Sequence, residues 1–163
     1  MDIRLTTSEA SINNLFQQAV VILSQRIKYN LSYLGEVCVK KVRDRSEEES
    51  WCDQTGNLRS SVQYAIYQYG KKAVASAFKQ ILDGRDGVSK ASKMAEEIAP
   101  LYRNTFNTLV VMAAMEYAEN VEALENKDVL ASIEIYARRN VDKYINKALK
   151  EAETEIQKLE ITL

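Results

Sequence analysis

The sequence predicts an α+β fold in which two long amphipathic helices pack on a small antiparallel sheet of about three strands, with an additional helix inserted between strands. Three patterns support this fold: apolar residues at helical spacing near both ends of the chain, two-residue alternation after residue 61, and a continuous apolar run at 106–114. A chain of 163 residues fits one domain. We divide it into an N-terminal long helix (1–45), a central part with turn, sheet and inserted helix (51–114), and a short helix followed by a C-terminal long helix (115–163).

The N-terminal helix is predicted over residues 8–44, with Thr7 or Ser8 capping its first amide groups. At about 1.5 Å per residue, such a helix is longer than a small domain is wide. Part of its apolar stripe must therefore pack on another chain or on a second long helix. The stripe consists of Ile12, Phe16, Ala19, Leu23, Ile27, Leu31, Leu34, Cys38 and Val42.

A glycine turn with polar flanks lies between the first helix and the first strand. Asp53 and Thr55 are expected to bond to local backbone groups, and Gly56 to adopt a left-handed conformation. Leu58 would anchor the turn in the core, while Arg59 would stay free for a carboxylate on a neighbouring chain. An ordinary well-capped turn without a binding role explains the same residues.

The middle of the chain predicts a hairpin, a helix and a third strand. Residues 62–67 alternate as a strand with one buried face, and residues 70–72 close a hairpin into a second strand at 73–81. A polar helix follows at 88–102, and the run at 106–114 is expected to be a central, buried strand. The apolar face of the polar helix is predicted to carry Met94, Ile98 and Leu101.

The last third of the chain predicts a short helix over 115–124 and a second long helix over 129–158. The inward residues of the short helix are expected to be Tyr117, Ala118, Val121 and Ala123. An acidic row also recurs every three residues, and a solvated face explains it better than an ion-binding or channel-lining role. Its members are Glu116, Glu119, Glu122 and Glu125.

Composition excludes several classes of function. Lysine plus arginine (22) nearly balance aspartate plus glutamate (23), so no global positive field attracts nucleic acid. The chain has no histidine and two cysteines, which excludes the usual zinc sites and histidine-based catalysis, and Cys38 and Cys52 are expected to be free thiols. We therefore predict no catalytic, cofactor or metal site and no membrane segment, and expect synthesis in the cytoplasm.

Two short motifs carry a resemblance to a known family. They are Thr55-Gly56-Asn57-Leu58-Arg59-Ser60-Ser61 and Tyr117-Ala118-Glu119-Asn120-Val121-Glu122. In this order, they resemble the T-G-x-L-R-x-S and Y-A-x-x-V-E segments of the neck, or tail-completion, proteins of long-tailed bacteriophages, and look closest to variants from phages and prophages of Bacteroidetes. The resemblance covers roughly residues 51–135. After Glu122 many family members carry a glycine and a proline-flanked segment, whereas this chain continues differently at 128–134.

The resemblance implies a structural role in the virion, with no enzymatic activity and no cofactor. Identical copies would form a ring in the neck that joins head connector or adaptor proteins to the tail tube or tail terminator protein, with genomic DNA passing nearby without sequence readout. Before incorporation the protein would reside in the host bacterial cytoplasm. The candidate interface residues are Asp53, Gln54, Thr55, Gly56, Asn57, Leu58, Arg59, Tyr117 and Glu122.

Two alternatives from other functional classes stay open. The first is an intracellular helical adaptor or regulatory oligomer that associates through its long helices. The second is a nucleic-acid-binding module that would use Tyr64, Tyr67 and Tyr69 as stacking platforms beside Lys71 and Lys72.

Overall fold

The computed structural model describes residues 8–46, 51–52, 54–77, 79–124 and 127–159. Within these residues it has five α-helices, one 3₁₀-helix and three β-strands, which confirms the predicted α+β class. The helices are α1 (Glu9–Arg43), α2 (Asn57–Ser61), α3 (Arg85–Glu97), α4 (Ala118–Leu124) and α5 (Ala131–Ile156), and the 3₁₀-helix is Ala99–Tyr102. The strands are β1 (Val62–Gln68), β2 (Lys71–Ala75) and β3 (Thr108–Ala113).

The two long helices pack against each other in antiparallel directions. Arg26 in the first half of α1 forms an ion pair with Glu155 near the end of α5, whereas Lys41 lies 4.8 Å from the ring centre of Tyr136 near the start of α5. Ser8 caps α1, as predicted, by accepting a hydrogen bond from the amide of Ser11. The second half of the apolar stripe is buried, and each buried leucine or valine contributes about 1.5–3 kcal/mol. These stripe residues are Leu31, Leu34, Cys38 and Val42, and the neighbouring Val39 is buried as well.

The sheet is antiparallel and has the order β2-β1-β3. Tyr69 and Gly70, both with positive φ (49° and 75°), form the two-residue turn between β1 and β2. The prediction of a turn at residues 70–72 is confirmed for Gly70 but wrong for Lys71 and Lys72, which already belong to β2. The predicted extension of this strand to residue 81 is also wrong, since Ser60 binds the backbone of Ile81 and holds that segment against α2 instead.

Strand β1 is buried on both faces. Its Tyr64 and Ile66 pack with α1 in the larger core, while Ala65 and Tyr67 pack with α3 in a second core. The expectation of one exposed face is therefore wrong. The second face looks solvent-exposed in the sequence because it carries polar residues, but their polar atoms form hydrogen bonds within the protein. The Gln63 amide donates to the Ser60 carbonyl (2.9 Å), and the Tyr67 hydroxyl donates to the Ala95 carbonyl (2.8 Å).

Strand β3 lies at an edge of the sheet, which corrects the expectation that the run at 106–114 is central. It spans Thr108–Ala113, and most of its residues are half-buried, with Met112 fully buried. Its apolar character has another cause. Leu109 and Val111 pack toward the long helices, while Val110 and Met112 pack toward α3, so both faces need apolar residues although one edge is open.

The inserted helix lies between β2 and β3, as predicted, but its boundaries differ. Two of the three predicted inward residues, Met94 and Ile98, are half-buried and pack on the second core, as expected. It begins at Arg85 and ends at Glu97, where the 3₁₀-helix containing Pro100 takes over. The alanines Ala91, Ala95 and Ala99 form the buried face. Leu101 is exposed, contrary to the prediction, because the 3₁₀ turn changes the helical phase after Glu97.

The second long helix is confirmed as α5, and the short helix before it as α4. Helix α4 starts three residues later than predicted. Ala118 is buried and Val121 half-buried, as expected, but Tyr117 and Ala123 are exposed. Tyr117 precedes the first turn of α4, so the helical spacing that assigned it to the inner face does not apply to it.

Substituting Gly35 with alanine should destabilise the fold. A Cβ at Gly35 would lie 2.6 Å from two ring atoms of the buried Tyr64, and overpacking of this kind costs about 1–3 kcal/mol. Alanine gains roughly 1 kcal/mol in helix propensity, which offsets only part of that cost. Urea unfolding should give a lower midpoint for Gly35→Ala and a nearly unchanged one for Gln25→Ala, at an exposed position of the same helix. A midpoint above that of the wild type would contradict the packing argument.

Candidate interaction surface

The glycine turn is a rigid junction between α2 and α3. Gly56 has φ +75°, as predicted, and an added Cβ would collide with the carbonyl group of Ile81. Thr55 accepts a hydrogen bond from the amide of Asn57 (3.3 Å), and the Asn57 side chain accepts one from Gly87 at the start of α3 (3.2 Å). Leu58 is buried in the core, as expected. Asp53, the remaining predicted member of this turn, lies outside the described residues.

Arg59 is not available to a neighbouring chain, which corrects the sequence prediction. Its side chain is buried, and Nη1 donates to the carbonyl oxygens of Arg43 and Arg45 at 2.8 Å each. Nη2 donates to the carbonyl of Trp51 (3.3 Å), and the guanidinium lies 5.0 Å from the Trp51 ring centre. Arg59 therefore connects the end of α1 and the segment at Trp51 to α2.

Arg43 completes this junction by bonding in the opposite direction. Its Nε donates to the Arg59 carbonyl (3.2 Å), and its Nη2 donates to the Val62 carbonyl at the start of β1 (2.9 Å). Burial lowers the pKa of Arg43, with nearby Glu36 acting against that shift. The last carbonyl groups of a helix need donors from outside it, and Arg59 supplies them here. An arginine shortly after the end of α1 is therefore the sequence signal by which this junction could have been predicted.

Glu122 has an internal role in the structure. One carboxylate oxygen accepts hydrogen bonds from the amides of Val129, Leu130 and Ala131, at 3.3, 3.1 and 2.8 Å. These amides belong to the start of α5, whose N-cap residue Leu130 provides no side-chain bond. Glu122 is therefore a remote cap that fixes α4 to α5.

The predicted acidic row is divided between different environments. Glu116 pairs with Lys90 of α3 (3.0 Å), whereas Glu122 caps α5. Glu119 is exposed, and Glu125 lies outside the described residues. The solvated-face interpretation therefore fits Glu116 and Glu119, which are exposed, but not Glu122, which is half-buried and caps α5.

The first part of α1 exposes several large apolar side chains, and we call it the α1 tip and define it as residues 9–21. No residue between 9 and 23 is buried, because Arg26 already meets Glu155 at the end of α5 and the tip extends beyond that end. Phe16, Val20 and Val21 are 65%, 55% and 53% exposed. An apolar hollow of about 320 Å³ lies where the tip meets the last residues of α5. Its lining consists of Ile12, Leu15, Phe16, Ala19, Ile156 and Leu159.

The three tyrosines predicted to stack on nucleic-acid bases do not form an exposed platform. Tyr64 and Tyr67 are buried, and Tyr67 stacks on Tyr102 with ring centres 5.1 Å apart. Tyr69 is exposed but packs edge-on against Phe106, and Lys72 pairs with Glu96. The predicted nucleic-acid alternative is therefore wrong in its proposed binding site, since two of its three stacking residues are inaccessible.

Comparisons with protein-family models, curated proteins and solved structures found no match to this chain. Across the described ranges, no group of three or more histidine, cysteine or acidic side chains is arranged to hold a metal ion. Within the same part of the chain, no helix combines the length and apolarity needed to cross a bilayer. Cys38 and Cys52 are not joined by a disulfide: Cys38 is buried, which raises its pKa to about 11, and Cys52 is exposed.

Replacing Arg59 with lysine should destabilise the protein although the charge is retained. A single ammonium group cannot reproduce the planar fork that reaches three carbonyl groups and stacks on Trp51, so we expect a loss of about 1–3 kcal/mol. Denaturant unfolding of Arg59→Lys measures this loss, with Arg85→Lys at an exposed position as the control. Equal losses for both variants would show that the junction contributes nothing specific.

The contribution of Asp128 to stability should disappear in acid. Burial acts to raise the pKa of this carboxyl, but hydrogen bonds from Ser132 and the charge and hydrogen bond of Arg45 outweigh it and lower the pKa. A lowered folded-state pKa means that the stabilisation is present above the unfolded pKa of about 3.9 and is lost as pH falls through the folded-state value.

Unfolding of Asp128→Asn and wild type should therefore differ by about 1 kcal/mol at pH 6 and converge toward pH 2. Asp142→Asn, at an exposed position of α5, is the matched control. A stability difference that stays constant over this pH range would contradict the assignment.

Proposed function

We propose that this protein is a structural subunit of the bacteriophage neck, a tail-completion protein whose copies form a ring between the head connector and the tail tube around the DNA channel. The exposed α1 tip is the observation that carries the proposal. A chain with a well-formed core leaves an apolar surface of this kind in water mainly where another protein covers it. The two motifs at 55–61 and 117–122 supply the family resemblance that specifies the assembly.

The tip has the geometry of a connecting arm. Its 13 residues correspond to about 20 Å of helix, and they continue a rod whose other end is fixed to the sheet. Packing Phe16 and Val20 on an adjacent copy, or on the connector, would bury the exposed apolar area without any change in the core. A ring requires one such heterologous contact, repeated by every copy until the circle closes.

Solvent exposure divides the candidate interface residues into two groups. Of the candidate residues, Gln54, Thr55 and Tyr117 are exposed, and we propose that these three contact neighbouring proteins. Gly56, Asn57, Leu58, Arg59 and Glu122 instead support their own subunit through the contacts described above. The family motifs would then maintain the shape of the subunit more than its contact surface.

The near-neutral charge of the chain fits a DNA passage without sequence readout. A net charge of −1 gives the chain no overall positive field that would attract DNA. In the proposed ring, DNA would pass close to the subunits and would not be held by them.

The alternative is a helical adaptor or regulatory oligomer without a viral role. The exposed Tyr29 and Tyr33 on α1 favour it, because they extend the accessible aromatic surface along the same helix. An adaptor of this type would form a closed dimer on its own, whereas a neck subunit would reach its full ring stoichiometry only on its connector. Mass measurement with and without portal and connector proteins distinguishes the two.

Deleting the gene in a phage that carries it, followed by complementation, tests the neck proposal. We expect separate heads and tails by electron microscopy, full rescue by the wild type, and loss of rescue by Val20→Glu, because a charge at the tip cannot be buried at low cost. Gln18→Glu, which adds the same charge at an exposed polar position of the tip, should rescue. Normal virions in the deletion strain would refute the neck role, and rescue by Val20→Glu would refute the role of the tip.

A further inference from the structure

The open edge of β3 and the groove beside it form a second surface. The groove runs between β3 and α5 and consists of two adjoining hollows of about 410 and 350 Å³, which share Leu109, Ala137 and Arg138. Its floor is apolar, with Val111 and Ile133 among the lining residues. An extended peptide beside β3 would place alternate side chains in this groove.

The backbone of β3 offers hydrogen bonds at this edge. The amide of Ala114 donates to the Ser61 carbonyl, which extends the antiparallel register of β1 and β3 by one residue. Because paired and unpaired residues alternate along such a ladder, Leu109, Val111 and Ala113 direct their N–H and C=O groups away from β1. These same residues pack on the groove side of the sheet.

Asn107, just before β3, adds an unsatisfied amide to the groove. Its Nδ2 and Oδ1 atoms are both buried, and neither has a hydrogen-bond partner among the described residues. The residue lines the second hollow. One donor and one acceptor held side by side match the two hydrogen-bonding groups of a peptide unit, and leaving both unpaired is costly.

The two sheet edges differ in their protection. Strand β2 carries Lys71 and Lys72, a common defence of an edge against pairing with other chains. Strand β3 has the sequence Thr-Leu-Val-Val-Met-Ala, with no charged residue and no proline. An edge without such protection accepts an added strand.

The sequence contains a segment of matching pattern at its N-terminal end. Met1, Ile3 and Leu5 alternate with Asp2 and Arg4, which is the two-residue period of a strand with one apolar face. In its own subunit this segment cannot reach the groove. From Ser8 to Leu31, which lines the second hollow, α1 spans about 35 Å, whereas seven residues extend over about 25 Å at most.

We propose that residues 1–7 of one copy add as a strand to the β3 edge of a second copy, with Ile3 and Leu5 in the groove. Residues 1–7 precede Ser8, and α1 separates Ser8 from the groove of the same subunit, so the exchange would connect neighbouring copies. The inference does not depend on the neck role, since it concerns only contacts between two copies of this chain.

Peptide binding in solution tests the proposal. The receptor is the full chain carrying Ile3→Asp and Leu5→Asp, which disables its own segment outside the described fold, and the probe is a labelled peptide of residues 1–7. Anisotropy should show saturable binding, and a peptide carrying Ile3→Arg and Arg4→Ile, with the same composition but broken alternation, should bind at least about tenfold more weakly. Absence of saturable binding at millimolar peptide, or equal binding of both peptides, would overturn the proposal.

Amide hydrogen exchange locates the bound peptide. Exchange at Leu109, Val111 and Ala113 should slow when the peptide is added, while Val110 and Met112, which already pair with β1, should not change. Binding without this alternating protection would overturn the assignment to the β3 edge.

Two receptor variants separate binding from folding. Val111→Pro removes an outward-pointing N–H and should abolish binding, whereas Asn107→Leu should weaken it about tenfold with an unchanged circular-dichroism spectrum. If Val111→Pro fails to fold, Asn107→Leu remains decisive, and unchanged affinity for a folded Asn107→Leu would overturn the placement of the peptide in this groove.

Discussion

The other elements of the fold are arranged around β1 because this strand is buried on both faces. A strand in this position needs a partner on each edge, a helical layer above and a helical layer below, and every polar atom on it must be satisfied within the protein. Strands β2 and β3 provide the edges, the α1–α5 pair covers Tyr64 and Ile66, and α3 covers Ala65 and Tyr67. Helix α1 can approach the Tyr64 ring closely only because Gly35 has no side chain. The layers are therefore positioned by one seven-residue strand.

The ends of helices and strands between these layers are held by charged side chains that bind backbone atoms. Arg59 and Arg43 satisfy carbonyl groups where α1 ends and β1 begins, and Glu122 satisfies amides where α5 begins. Bonds of this kind are stronger than their equivalents in water because they form away from bulk solvent. They also explain why residues that looked suited to binding a partner serve the subunit itself.

Part of the apolar surface of α1 and of the sheet remains outside the core. The second half of the α1 stripe is covered by α5 and the sheet, while the tip and the β3 edge remain accessible. The two features lie at different places on the subunit and differ in chemistry: the tip presents side chains, and the edge presents backbone groups. If the tip and the β3 edge each bind another copy, as proposed above, each copy would contact the next through non-identical surfaces, which is head-to-tail assembly.

The long helices, the Ser8 cap, the left-handed Gly56 and the α+β class could all be predicted from the sequence, because periodicity, capping and glycine conformation act over a few neighbouring residues. Strand order could not, since alternation in 62–67 and the apolar run of β3 are compatible with either central or edge positions. The same limit explains why the internal roles of Arg59 and Glu122 could not be predicted. Arg59 binds the carbonyl of Arg45, 14 residues away in the chain, and Glu122 binds the amide of Ala131, 9 residues away. The tertiary structure alone decides which polar side chains point inward. A polar side chain is buried where folding brings a backbone group without a hydrogen-bond partner next to it, and that backbone group can be distant in the chain.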